Sequence, residues 1–165
     1  MQALGQVWGR LDPRAPDFKE TATLLDAPNL HGAQLLLDEW RKAEGGFVVG
    51  RDIPSRALSS VLRNIAVFEP VDGDYHVRIA GTALLTRFNR DISGAQLSEL
   101  LSPAMFARRS KWLRYAIGGN RPILHRIVMQ QGNRKPLSFE LIFLPALAPD
   151  GHTPWAIAGF FYYEG

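Results

Sequence analysis

Pro136-Leu137-Ser138-Phe139-Glu140-Leu141-Ile142-Phe143-Leu144-Pro145-Ala146-Leu147, followed after Pro149-Asp150-Gly151 by Trp155-Ala156-Ile157-Ala158-Gly159-Phe160-Phe161-Tyr162-Tyr163, decides the fold of this chain. The first run is largely apolar and the second largely aromatic, and they are joined by a turn, so they read as a hairpin. An antiparallel sheet with one wet face alternates apolar with polar residues. These strands do not: Phe139, Leu141 and Phe143 interleave with Ile142 and Leu144, and Phe160 to Tyr163 puts aromatics on both faces. Both faces of this sheet therefore need a cover.

Working outward, Ile123 to Gln130 is a third strand, joined to the pair through Gly132-Asn133-Arg134-Lys135. Upstream, Ser102-Pro103 is an N-cap followed by proline at the first helical position, opening a helix to about Ile117. Met105, Trp112, Leu113 and Ala116 form its apolar stripe, and Gly118, Gly119 and Asn120 end it. Gln96 to Leu101 reads as a helical turn and Thr82 to Phe88 as a short helix. Ile65 to Pro70 and Tyr75 to Ala80 are two more strands around the turn Asp72-Gly73-Asp74. The expected core domain, residues 65–165, is α+β: a five-stranded antiparallel sheet with short central helices.

Residues 30–64 are expected to be an N-terminal helical extension. Asn29 is placed as N-cap of a helix from His31 to Ala43, with Leu35, Leu36 and Trp40 on one face and Gly45-Gly46 as the stop. Pro54-Ser55 opens a second short helix ending near Arg63. Residues 1–29, broken by Pro13, Pro16 and Pro28, read as an extended or partly disordered arm, with Trp8, Leu11 and Phe18 as possible anchors. The central helices can cover one sheet face. The other needs the helix at 31–43, the arm, or a second copy of the chain.

At 165 residues the length fits one domain, and 46% hydrophobic with 21% charged residues is an ordinary globular balance. The absence of cysteine excludes disulfides, thiolate metal sites and cysteine nucleophiles. No apolar run reaches the roughly 20 residues a membrane helix needs, and Met1 to Arg10 lacks signal-peptide character, so the cytoplasm is the default location. The net charge of +3 is small. Arg108, Arg109, Lys111 and Arg114 are the densest basic cluster and read as a solvated helix face. Nucleic-acid binding would require them to join Arg126, Arg134 and Lys135 in one patch. There is no phosphate-binding glycine loop, His-Glu-x-x-His, Gly-x-Ser-x-Gly or metal-spaced His/Asp cluster, so no catalytic or metal residue is assigned.

Two strands, short helices, a longer helix and three strands are the order of a PAS domain, and the residues carry the resemblance further. Phe88-Asn89-Arg90-Asp91-Ile92-Ser93-Gly94 through Leu97, Leu100 and Pro103 is similar to the PAS core segment. Asn89 stands where glycine is usual, and asparagine tolerates the left-handed backbone better than most residues. The chain also resembles short stand-alone PAS proteins common in alphaproteobacteria. The matching features are Trp40 on its helix, Pro54-Ser55-Arg56, Arg78-Ile79-Ala80-Gly81-Thr82, and Glu140-Leu141-Ile142-Phe143-Leu144-Pro145. The match runs from about Leu35 to Phe161.

The resemblance implies a non-catalytic sensory or regulatory module of bacterial signalling, acting on a small molecule, a protein partner, or both. A pure scaffold and a small cavity-bearing enzyme are the alternatives. It implies a cavity between helices and sheet, with Val77, Leu84, Phe88, Leu100, Trp112, Leu113, Phe139, Leu141, Phe143 and Phe160 as candidate walls; an ordinary packed core fits the same residues. Arg78 and Glu140 are candidates for a cross-strand pair or for holding a polar ligand. Haem-binding PAS domains place a histidine on the helix over the pocket, whereas His31, His76, His125 and His152 all lie elsewhere, so haem is disfavoured. Cysteine-linked flavin and cinnamate-type chromophores are excluded for want of a cysteine; the cofactor is otherwise unknown. The doubly apolar sheet favours a homodimer through Leu35, Leu36 and Trp40. Nucleic acid and membrane are not expected partners, and the length is taken to leave no room for an output domain.

Overall fold

The structure, a computed structural model, describes residues 11–44, 46–88 and 90–164, the Arg87 side chain excepted. The expectations placed on Trp8, Gly45 and Asn89 lie outside the described residues. In chain order the elements are β1 (Phe18–Leu24), α1 (His31–Lys42), β2 (Phe47–Val48), β3 (Ile65–Val71), β4 (Asp74–Ala80), α2 (Thr82–Phe88), α3 (Leu97–Leu100), α4 (Pro103–Gly119), β5 (Ile123–Gln131), β6 (Leu137–Leu147) and β7 (Pro154–Tyr162). Two short 3-10 turns, Arg56–Leu58 and Leu62–Asn64, replace the helix expected from Pro54 to Arg63. The buried residues there are Leu58 and Val61, three apart, which is the 3-10 repeat.

Among the described residues the sheet has 7 strands, in the order β1-β5-β6-β7-β3-β4 with β2 off that path on β6. The expected antiparallel sheet is the continuous run β5-β6-β7-β3-β4. The two further strands come from the N-terminal part of the chain. β2 pairs in parallel with Ala146 and Leu147, where β6 extends past β5. β1 pairs with β5 along its whole length, from Phe18 opposite Gln131 to Leu24 opposite His125. The expected arm is therefore, over 18–24, an edge strand. Its alternation is real, with Phe18, Glu20 and Ala22 facing in and Lys19, Thr21 and Thr23 facing out. The signal is masked because one inward residue is a glutamate.

The parity of β6 and β7 sorts the core into two layers. Phe139, Leu141, Phe143, Ala156 and Ala158 join Leu84, Leu100, Trp112 and Leu113 beneath the central helices. Ile142, Leu144, Ala146, Trp155, Ile157 and Phe161 join Ala33, Leu36 and Leu37 of α1 on the opposite face. Both faces are covered, as the missing alternation requires, and the outer cover is the chain's own α1.

The grip on α1 comes from β6 at two points. The first turn of α1 has no side-chain cap, and Asn29 is not the N-cap. Instead the Asn29 N–H donates to both Glu140 carboxylate oxygens and the Leu30 N–H to one, each at 3.1 Å. Near the other end, the Trp40 indole Nε1–H donates to the Pro145 carbonyl at 2.9 Å. A carboxylate at a helix start also complements the helix dipole. Gly159 lets the helix approach: a Cβ there would lie 2.7 Å from Leu36 Cδ2 and 2.6 Å from the Phe161 ring.

Candidate functional site

Between α2, α3, α4 and the inner sheet face lies an apolar cavity. Six candidate wall residues line it: Val77, Leu84, Phe88, Leu100, Phe143 and Phe160. The other candidates, Trp112, Leu113, Phe139 and Leu141, belong to the same inner layer but are packed away from the space. Its volume is about 30 Å³. A single water needs roughly 10–15 Å³ by that measure, so the space as it stands holds a few atoms and no fused-ring cofactor. Leu84, Leu100 and Phe143 are almost completely buried, so enlargement requires the helices to shift against the sheet.

Among the described residues, one charged side chain reaches the cavity wall. Arg109 on α4 is 4% exposed, against the expectation of a solvated face. Its two terminal nitrogens each donate to one oxygen of Glu20 on β1, both at 2.7 Å. Arg108 adds a bond to the same carboxylate at 3.2 Å. Only Lys111 and Arg114 of the cluster are exposed. The inward turn of Arg109 follows from Glu20: a carboxylate on the inner face of an edge strand needs a buried cation.

Below this pair, the Trp112 ring stacks on His125 of β5, centroids 3.9 Å apart, and the Arg109 guanidinium lies 5.3 Å from the Trp112 ring centroid. Burial, and then the nearby Arg109 and Arg108 charges, push His125 down to about 4 from its ordinary 6.5. Its ring is neutral at pH 7, and its Nδ1 is a buried atom without a hydrogen-bond partner among the described residues. Arg109, Glu20 and His125 thus converge beside the cavity. Their chemistry is that of a clamp, since the carboxylate is neutralised by guanidinium and the imidazole is not among the lining residues.

The remaining candidates separate. Arg78 and Glu140 do not pair: β4 is an edge strand and β6 central, with β3 and β7 between them, roughly 14 Å at ordinary strand spacing. Arg78 meets Glu69 at 3.3 Å and lies over Trp155. Glu140 is wholly buried on the outer face, where it also accepts from the Tyr163 hydroxyl. Burial and that carboxylate raise the Tyr163 phenol above its ordinary value. Leu36 is buried in the chain's own core, while Leu35 and Trp40 are half-buried. Arg126 pairs in register with Glu140 on the outer face and packs on Tyr163, whereas the 108–114 cluster rides on α4 over the inner face, so the two do not form one basic patch.

His31 and His152 are exposed, and His76 contacts Gln96 at 3.1 Å. Asp91 accepts from the Ser93 N–H at 2.9 Å, bracing the turn before α3. Sequence reasoning missed Glu20 and the inward role of Arg109; the alternation of residues 18–24 was the available signal. No helix among the described residues is long and apolar enough to cross a membrane.

No curated protein matches the chain. The PAS domain family matches it over residues 29–162, from the turn that Glu140 holds to the end of β7. That span takes in α1, the central helices, the cavity and every strand except β1. With the strand order, the inner cavity and this match together, the chain belongs to the PAS domain family, whose members are sensory and regulatory modules.

Proposed function

We propose that this chain is a non-catalytic signalling module that links the packing of its inner cavity to the docking of α1 on the opposite face of the sheet. The observation that carries this reading is the double role of β6. Its residues Phe139, Leu141 and Phe143 pack beneath the central helices, while Glu140 and Pro145, between and beside them, hold both ends of α1. A ligand or partner that favours one arrangement of the helices over the sheet would shift the population of docked α1. The effector is a small apolar molecule in the cavity, whose one charged wall residue among those described is already committed to Glu20, or a partner protein that docks on the surface of the chain. The active form is a homodimer whose contact includes Leu35 and Trp40. Leu36 is not part of it.

Filling the cavity tests the coupling. In Leu84→Phe, hydrogen exchange of α1 amides should change relative to that of α4 amides; identical ratios in variant and parent would sink the coupling. Native mass spectrometry of freshly purified protein reads the occupant and the oligomer together.

A further inference from the structure

On the outer face, away from the inner cavity, α1 leaves an open groove of about 330 Å³ beside the end of β1. Its floor is Leu124 and Ile142, and its walls are Leu24 and Leu37. Leu24 is 67% exposed, the most exposed large apolar residue among those described. Arg41, from the last turn of α1, and Arg121, from the turn between α4 and β5, stand at the rim with Asp26. None of these three side chains has a hydrogen-bond or ion-pair partner among the described residues. Three separate segments therefore bring two uncommitted guanidiniums to the mouth of an apolar trough.

We infer that this groove binds a small amphipathic monoanion, a carboxylate head on a medium-length acyl tail. The apolar floor and walls take the tail, and the planar guanidiniums take the carboxylate, for which their donor fork is suited. Two arginines against one aspartate leave a single net positive charge at the rim. The last carbonyls of α1 lie beside Arg41 and disfavour more negative charge. Both facts select a monoanion over a phosphate dianion. The volume is at the lower end of small-molecule sites, which sets the tail at medium length. The inference does not rest on the cavity coupling proposed above: it needs only α1 docked on the sheet, where Leu37 and Arg41 line the groove.

The test is a titration of the full isotope-labelled chain with octanoate, below micelle formation, followed by NMR. Saturable shifts are expected at residues 24–26, 37–41 and 121–124. Arg41→Gln with Arg121→Gln, both exposed positions, should weaken binding by about tenfold or more. Octanol, with the same tail and no charge, should bind more weakly than octanoate, and so should octyl phosphate as its dianion. The inference is overturned if no saturable shift occurs in the groove, or if the shifts fall instead at Leu84, Phe88 and Leu100. Equal affinity for octanol, tighter binding of octyl phosphate, or an unchanged affinity in the double variant would each overturn it too.

Discussion

Arg109 and Glu20 are 89 residues apart in sequence and form the most deeply buried ion pair of the described residues. Such a pair is poor evidence of net stabilisation, but breaking it from one side strands a charge. Arg109→Ala leaves Glu20 with only the Arg108 contact and should cost about 3–5 kcal/mol in urea unfolding. Replacing both, Glu20→Leu with Arg109→Met, should cost far less, because no charge is left to desolvate. An equal loss in both variants would show that the residues act through packing alone. His125 supplies the pH dependence. Its folded value of about 4 lies below the unfolded 6.5, so between those values the unfolded chain binds the extra proton. Stability is therefore complete above pH 6.5 and falls as the pH drops towards 4. Asp150, held near 2 by hydrogen bonds from Thr153 and His152, acts only at lower pH. His125→Phe keeps a ring against Trp112 and should flatten stability between pH 6.5 and 4; an unchanged slope would assign the effect elsewhere.

Elements are held in place here by contacts their own sequences do not announce. The start of α1 carries no capping side chain of its own, because its cap is Glu140 on a strand. Glu140→Ala removes the acceptor for two backbone N–H groups, a loss of about 1.5–3 kcal/mol for hydrogen bonds to a charged group. Hydrogen exchange should then quicken along α1 before it quickens along α4. Glu140→Gln, which keeps one carbonyl oxygen, should lie between variant and parent. If α1 and α4 respond alike, β6 is not the specific tether. By contrast, α4 is legible from end to end. Ser102 accepts from the Met105 N–H at 3.3 Å, Pro103 fills the first turn, and Asn120 closes the helix at φ 49°. The Asp72-Gly73 turn also takes the positive φ values its residues suggest, 51° and 79°. The 3-10 turns and β1 were not legible as such. The former bury only two side chains, and the latter turns a glutamate inward whose partner lies on a distant helix.

For the whole molecule, the central question is what covers the sheet. A doubly apolar sheet can be completed within one chain or between two, and the residues of β6 and β7 are the same in either case. Here α1 folds back over its own sheet and leaves Leu35 and Trp40 half-buried, the two residues placed in the proposed homodimer contact. Sedimentation of the full chain should show a dimer at high concentration that Leu35→Glu returns to monomer; a monomer at every concentration removes the homodimer from the proposal. By itself, the sequence determined the strand order's ingredients, the two-faced parity of β6 and β7 and the ends of α4. These are set by period and by neighbours a few residues apart. Tertiary structure alone decided that β1 joins the sheet, that Arg109 turns inward to Glu20, that Glu140 caps a helix 111 residues upstream instead of meeting Arg78, and that the cavity closes to about 30 Å³. Those outcomes depend on which distant groups share a buried space. A buried charge must find a partner wherever the fold brings one, and the room left between packed side chains is a difference of large volumes that no local pattern encodes.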